Sequence, residues 1–247
     1  MQRPVIGIVV DNRDNTADSG RYELSIAYSR LVAEAGGLPL LLPHEVELAG
    51  SYVRMCHGLM LTGGVDPRTE PFGEPTHPAA RPVDPRRQAF DLALLEHATR
   101  SRSRPAVLGV CLGMQMMALH AGGRLHQFLP DILDHTDADA HVDHRRHAVT
   151  LCTDDSVLNG SECKGATGMV VSHHRQAVAD AGSMRVVARA ADGIIEAIDA
   201  PDAAGVPGRF YLGVQWHPER GDDGPFNRGL IDRFVSACRH ATGSPPA

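Results

Sequence analysis

The sequence predicts an α/β fold: a mostly parallel sheet flanked by helices in three layers, with a small antiparallel β addition in the second half. Three observations predict it. Short, predominantly apolar runs recur at residues 5–10, 38–42, 58–62 and 105–110, the mark of strands buried on both faces. Segments of helical period lie between them, at 22–35 and 87–99. The apolar runs also end in glycine, proline or polar turns, so strand and helix alternate as parallel sheets require.

The elements follow in order. The first strand, at 5–10, runs into a polar loop rich in Asp and Asn that reaches about residue 20. The helix at 22–35 stops at Gly36-Gly37, a C-cap signal. A second strand at 38–42 closes at Pro43, and a third at 58–62 enters the turn Gly63-Gly64-Val65-Asp66. Residues 68–86 are Pro-rich and read as a long loop that could cover a site. A helix at 87–99 precedes the strand at 105–110, and residues 114–121 form a helix halted by Gly122-Gly123. The second half changes character. Residues 133–147 are polar and rich in His and Asp. Short strands at 148–152, 168–172, 185–190 and 194–199 are separated by turns, the pattern of antiparallel pairing. The chain returns to the main sheet at 209–215 and ends in a helix at 227–240, with a frayed tail at 242–247.

Composition narrows the class. A chain of 247 residues that is 43% hydrophobic can bury one sizeable core, and residues 1–247 read as a single domain. A net charge of -6 and a pI near 6.1 argue against a nucleic-acid or membrane-surface partner. No apolar run is long enough to span a bilayer, and no leader pattern is seen. Five cysteines without regular spacing make a disulfide framework improbable and point to a reducing cytoplasm. Homo-oligomerisation stays open.

The chemistry centres on Gly109-Val110-Cys111-Leu112-Gly113. A glycine two residues to each side of a nucleophile is the spacing of a sharp strand-to-helix elbow, where larger side chains would block the turn. A cysteine buried only for packing needs no such flanks. The thiol of Cys111 would sit at a helix N-terminus, whose partial positive charge favours thiolate. The N–H of Leu112 would point where an oxyanion forms. His217-Pro218-Glu219 supplies the base: in extended chain, i and i+2 side chains share a face, so Glu219 can hold one ring nitrogen of His217 while the other takes the thiol proton. Gly63 and Gly64 follow a strand of the same sheet, at the edge where such folds bind ligands. They are candidates to complete the oxyanion hole with Leu112.

With Cys111, His217 and Glu219 in place, the chain resembles class I glutamine amidotransferase-like proteins, and within them the γ-glutamyl-γ-aminobutyrate hydrolase group. Ala35-Gly36-Gly37-Leu38-Pro39, Leu61-Thr62-Gly63-Gly64-Val65-Asp66, the set Asp84, Arg87, Phe90 and Asp91, Gly122 to Gln127, and Gly213 to Glu219 carry the resemblance. It implies a flavodoxin-like sheet, a cysteine hydrolase acting on a small γ-glutamyl amide, no cofactor, and substrate contacts from Gln115 and His174. Leu112 and Val171 stand where that group carries Arg and Asn. Their apolar character predicts an amine leaving group without a free carboxylate. Leu112 also keeps a rival in view: a glutaminase subunit that delivers ammonia to a separate synthetase. A catalytically idle binding protein of this fold is the third reading, and the intact Cys-His-Glu set speaks against it. His135, His141, His144 and His147 are interleaved with Asp137, Asp139 and Asp143. Their spacing matches no closed metal pattern, so no metal is assigned. Cys56, Cys152, Cys163 and Cys238 lack the elbow context and read as structural.

Overall fold

The computed structural model describes residues 2–16, 19–101, 105–160, 162, 164–200 and 210–240. Its parallel half is built from β1 (Val5–Val9), β4 (Leu38–Leu42), β5 (Gly58–Leu61), β6 (Ala106–Val110) and β13 (Tyr211–Val214), in the order β4-β1-β5-β6-β13. Every residue of β5, β6 and β13 is buried, because helices cover both faces. Alternation along each strand divides the core in two. Ile6, Ile8, Met60, Leu108 and Leu212 meet α1 (Ile26–Glu34) and α6 (Arg228–His240). Val9, Leu59, Leu61 and Val107 meet α2 (Ala49–Met55), α3 (Pro85–Arg100) and α4 (Leu112–His120).

The antiparallel addition continues the same sheet. Beyond β13 come β12 (Ile195–Asp199), β11 (Arg185–Ala190), β8 (Arg145–Leu151) and β9 (Thr167–Ser172), each antiparallel to its neighbour. Off this path, β10 (Ala177–Asp180) pairs with β12 and with β7 (Arg124–His126). A short helix, α5 (His135–Ala140), is N-capped by Asp134 within the polar segment.

Several elements depart from the sequence reading. The polar loop after β1 is a hairpin of β2 (Asp11–Thr16) and β3 (Ser19–Glu23), so α1 starts later than residue 22, with Ser25 as its N-cap. Tyr22 belongs to that hairpin, and its hydroxyl accepts the His44 N–H at 3.2 Å. Strands β7 and β10 have weak local patterns because each is held by a partner distant in sequence, Ala177 opposite His126. Residues 68–86 are mostly irregular, with a single 3-10 turn at Glu70–Phe72. They are pinned by Gln127, whose Oε1 accepts the His77 N–H at 2.7 Å and the Thr69 hydroxyl at 3.1 Å. Cys163, the tail at 242–247 and the start of the strand expected at 209 lie outside the described residues.

Helix α4 packs on β5 through Gly113, where a Cβ would stand 2.3 Å from the Leu61 carbonyl oxygen. Neither backbone can yield without moving the sheet. Gly113→Ala is therefore expected to cost about 3 kcal/mol or more, read as a lowered urea midpoint with an unchanged slope.

Candidate active site

Strand β6 becomes helix α4 through one residue, Cys111. Its φ of 50° and ψ of -103° lie outside the regions that non-glycine residues favour, a conformation that costs on the order of 1–3 kcal/mol and is kept where surrounding structure imposes it. The Cys111 N–H continues the sheet ladder, donating to the Val214 carbonyl at 2.8 Å. The thiol is buried. Its Sγ lies 3.9 Å from the His173 carbonyl oxygen and 3.6 Å from the Gln215 side-chain nitrogen.

Parallel pairing of β6 with β13, Val110 opposite Val214, sets the segment after β13 beside the elbow. His217 Nδ1 meets Glu219 Oε1 at 2.8 Å, with both side chains buried. Because a carboxylate only accepts, Nδ1 carries the proton and Nε2 is left for the thiol. Burial alone would lower the His217 pKa, but hydrogen bonding and charge from Cys111, then from Glu219, raise it to about 10. Glu219 is held below its ordinary value: burial opposes this, and His217 outweighs it. The three groups predicted from sequence thus converge.

Gly63 is wedged among them. A Cβ there would lie 2.8 Å from His217 Cε1 and 3.2 Å from the Tyr28 hydroxyl. The Gly63 N–H donates to Tyr28 Oη at 3.2 Å. Tyr28 carried no signal in the sequence, yet burial and then the nearby Glu219 charge raise its pKa well above the ordinary value. Of the predicted oxyanion donors, Gly63 is thereby engaged with Tyr28. Gly64 lines the cavity next to Cys111, and Leu112 begins α4, where its N–H has no acceptor within the helix. The turn is anchored by fully buried Arg87. Arg87 donates to Asp91 at 3.0 Å, to the Val10 carbonyl at 2.6 Å and to the Thr62 carbonyl at 2.9 Å.

A cavity of about 450 Å³ opens on Cys111, lined also by Gly64, Asp66, Arg81, Gln115 and His174. Gln115 spends its amide N–H groups on the Gln176 carbonyl at 3.0 Å and Gln215 Oε1 at 3.2 Å. His174 reaches the wall, but both ring nitrogens are engaged, with the Gln176 carbonyl at 2.9 Å and His141 at 3.2 Å. Arg81, Asp143 and Arg175 also line the cavity, and sequence reasoning missed them because they sit on irregular segments brought together by the fold. Leu112 and Val171 are both buried and neither lines the cavity. The leaving-group preference read from their apolar character is therefore withdrawn.

The histidines of 135–147 divide: His141 and His147 pack ring against ring, with centroids 4.8 Å apart. His144 stacks on His173 with ring centroids 4.3 Å apart, while His141 turns inward against His174 and Glu196. Cys56, Cys152 and Cys238 are free thiols. Burial raises Cys56 to about 11 and pushes Cys238 up further, as expected of thiols that only pack. Among the described residues no helix is long and apolar enough to cross a membrane.

Comparison with known proteins finds relatives that match nearly the whole chain. The chain is 34% identical over 242 residues to a Mycobacterium tuberculosis protein named "Putative glutamine amidotransferase Rv2859c", covering 93% of this chain and 74% of that protein. It is 30% identical over 255 residues to the gamma-glutamyl-gamma-aminobutyrate hydrolase PuuD of Escherichia coli K12, covering 97% and 95%. Two solved structures share the fold. PurLQS from Thermotoga maritima has a TM-score of 0.63 at 13% identity, covering 95% of this chain and 99% of that chain. The glutaminase domain of Trypanosoma brucei CTPS has a TM-score of 0.60 at 15% identity, covering 96% and 94%. The family model described as Peptidase C26 matches residues 4–219, and the chain belongs to that family.

Proposed function

We propose that this chain is a cysteine hydrolase that cleaves the γ-glutamyl amide bond of a γ-glutamyl amine, γ-glutamyl-γ-aminobutyrate or a related compound, releasing glutamate and the amine. The observation that carries the reading is the line from Cys111 through His217 to Glu219 at the mouth of a cavity holding both signs of charge. A glutamyl group brings an ammonium and a carboxylate at its α-carbon, and Asp66, Asp143, Arg81 and Arg175 offer partners for both. The cavity volume, about 450 Å³, leaves room for an amine beyond the glutamyl group.

In this mechanism His217 takes the thiol proton and Cys111 attacks the γ-carbonyl carbon. The oxyanion rests on the N–H groups of Leu112 and of the Gly63–Gly64 turn, where Gly64 is the donor facing the cavity. The imidazolium returns its proton to the departing amine. Water, deprotonated by His217, then cleaves the thioester and frees glutamate and the thiol. Gln115 and His174 shape the glutamyl side of the pocket. The steps require no cofactor, and one domain carries them all. Four free thiols among the described residues suit a cytoplasmic setting.

The rival reading is a glutaminase subunit serving a separate synthetase. The relative named as an amidotransferase favours it. The two separate on partner dependence. Purified alone, the chain is expected to release glutamate from a γ-glutamyl amine with a higher kcat/KM than ammonia from glutamine. Glutamine turnover that dominates, and rises with an added synthetase, would select the rival.

Cys111→Ala is expected to lower kcat at least about a thousandfold without lowering the melting temperature. Wild-type turnover in that variant would remove the thiol from the mechanism, and the hydrolase reading with it.

The raised His217 value sets the pH profile. Once His217 has taken the thiol proton, the imidazolium beside Cys111 and Glu219 keeps it through neutral pH and loses it only as pH rises through about 10. The alkaline limb of kcat/KM should therefore fall well above the ordinary histidine value of about 6.5. Glu219→Gln removes a charge that holds the proton, so the limb should move to lower pH and kcat should drop. An unmoved limb with lost stability would make Glu219 structural.

A further inference from the structure

Behind the cavity wall lies a buried cluster of which only His174 reaches the pocket. His141 ends the turn after α5, His174 sits between β9 and β10, and Glu196 belongs to β12. All three are buried, Glu196 completely. His141 Nδ1 is 3.2 Å from His174 Nε2 and 3.3 Å from Glu196 Oε1, and His174 Nε2 is 3.6 Å from the same oxygen. The outer nitrogens fix the protons. His141 Nε2 faces the Asp192 carboxylate at 2.7 Å, and His174 Nδ1 faces the Gln176 carbonyl at 2.9 Å. Both partners only accept, so each outer nitrogen donates. In the neutral rings the lone pairs of His141 Nδ1 and His174 Nε2 then face each other across a buried carboxylate. Neither Glu196 oxygen has a well-formed hydrogen bond. Three electron-rich atoms turned together in a buried site repel one another unless a cation lies between them.

We infer that His141, His174 and Glu196 bind a divalent transition-metal ion of the zinc class. A tetrahedral ion with ligands at roughly 2.0–2.1 Å separates them from one another by about 3.3 Å. The three measured edges, 3.2, 3.3 and 3.6 Å, are close to that triangle. Two imidazoles and one carboxylate are a donor set that suits zinc. Asp192 and the Gln176 carbonyl occupy the places of the outer groups that orient metal-bound imidazoles. His147 completes the shell: its Nε2 is 3.6 Å from Glu196 Oε1 and 2.9 Å from the Ser172 hydroxyl. The ion would tie together the turn after α5, strand β12 and the loop after β9. That loop places the His173 carbonyl against Cys111 and His174 in the cavity wall, so the metal is structural, pinning one side of the pocket. This assignment replaces the absence of metal read from spacing, and it does not rest on the hydrolase reading.

The test uses the purified full chain, stripped by a chelator and titrated with Co²⁺ and then Zn²⁺ alone. One Co²⁺ per chain is expected, with the strong visible bands of tetrahedral cobalt, which Zn²⁺ abolishes by displacement. The melting temperature should rise by several degrees with either ion. His141→Ala and Glu196→Gln should lose the bands. Asp192→Asn keeps all three ligands, so it reports even where those variants fail to fold, and it should weaken binding about 10- to 100-fold. Cys111→Ser and the His135→Ala/His144→Ala pair should bind as the unaltered chain does. No bands and no thermal shift in the unaltered chain would overturn the site and leave protons as the cation in the cluster. Binding that survives Glu196→Gln and Asp192→Asn, or that is lost in Cys111→Ser, would place the ion elsewhere and overturn it equally.

Discussion

Cys111 must finish a strand and open a helix within one residue, and the arrangement around it follows from that demand. Its backbone leaves the favoured regions, a cost met by what surrounds it. The N–H is tied to β13. Gly109 and Gly113 let α4 press onto the strands, since a Cβ at Gly109 would strike Gly113 and Met117, and one at Gly113 would strike Leu61. Helix α4 thereby starts directly after Cys111, which lines the cavity.

Parallel pairing carries the remaining groups to that edge. Chains leaving β5, β6 and β13 emerge side by side at the same end of the sheet, the position from which open α/β sheets address ligands. The glycine turn comes from β5, the thiol from β6 and the imidazole from β13. Arg87 then locks the glycine turn from beneath, bridging the ends of β1 and β5 while paired with Asp91. Such a pair is tolerable in the core because each of the three guanidinium nitrogens finds an acceptor. Tyr28 adds a lock from the other side, holding Gly63 and standing near Glu219.

The antiparallel half supplies the far wall of the cavity. Its strands bring His174, Glu196 and the end of the short helix into one buried cluster. The polar side chains there are costly unless a cation balances them. Stability of that cluster and the shape of the pocket are therefore linked through the backbone at His173, whose carbonyl oxygen lies 3.9 Å from Cys111 Sγ.

The sequence by itself determined the parallel half of the fold and the three groups of the proposed triad. Both are local matters: buried strands are written as apolar runs of fixed length, an elbow as two glycines at fixed offsets, and the imidazole–carboxylate pair as neighbours two residues apart. Sequence also marked Arg87 and Asp91, though only the tertiary structure revealed their purpose. What the fold decided is everything that depends on distant partners. The hairpin at Asp11–Glu23 is polar and takes its order from backbone pairing. Strands β7 and β10 exist because they find each other across fifty residues. Tyr28, Arg81, Arg175 and Glu196 are ordinary in their local sequence and acquire meaning only in contact. The histidine-rich stretch shows the reason most clearly. Spacing along the chain grouped His141 with His135, His144 and His147, but a side chain's chemistry is set by what packs against it: the fold kept His147 beside His141, sent His144 to His173, and brought in His174 and Glu196 from distant segments.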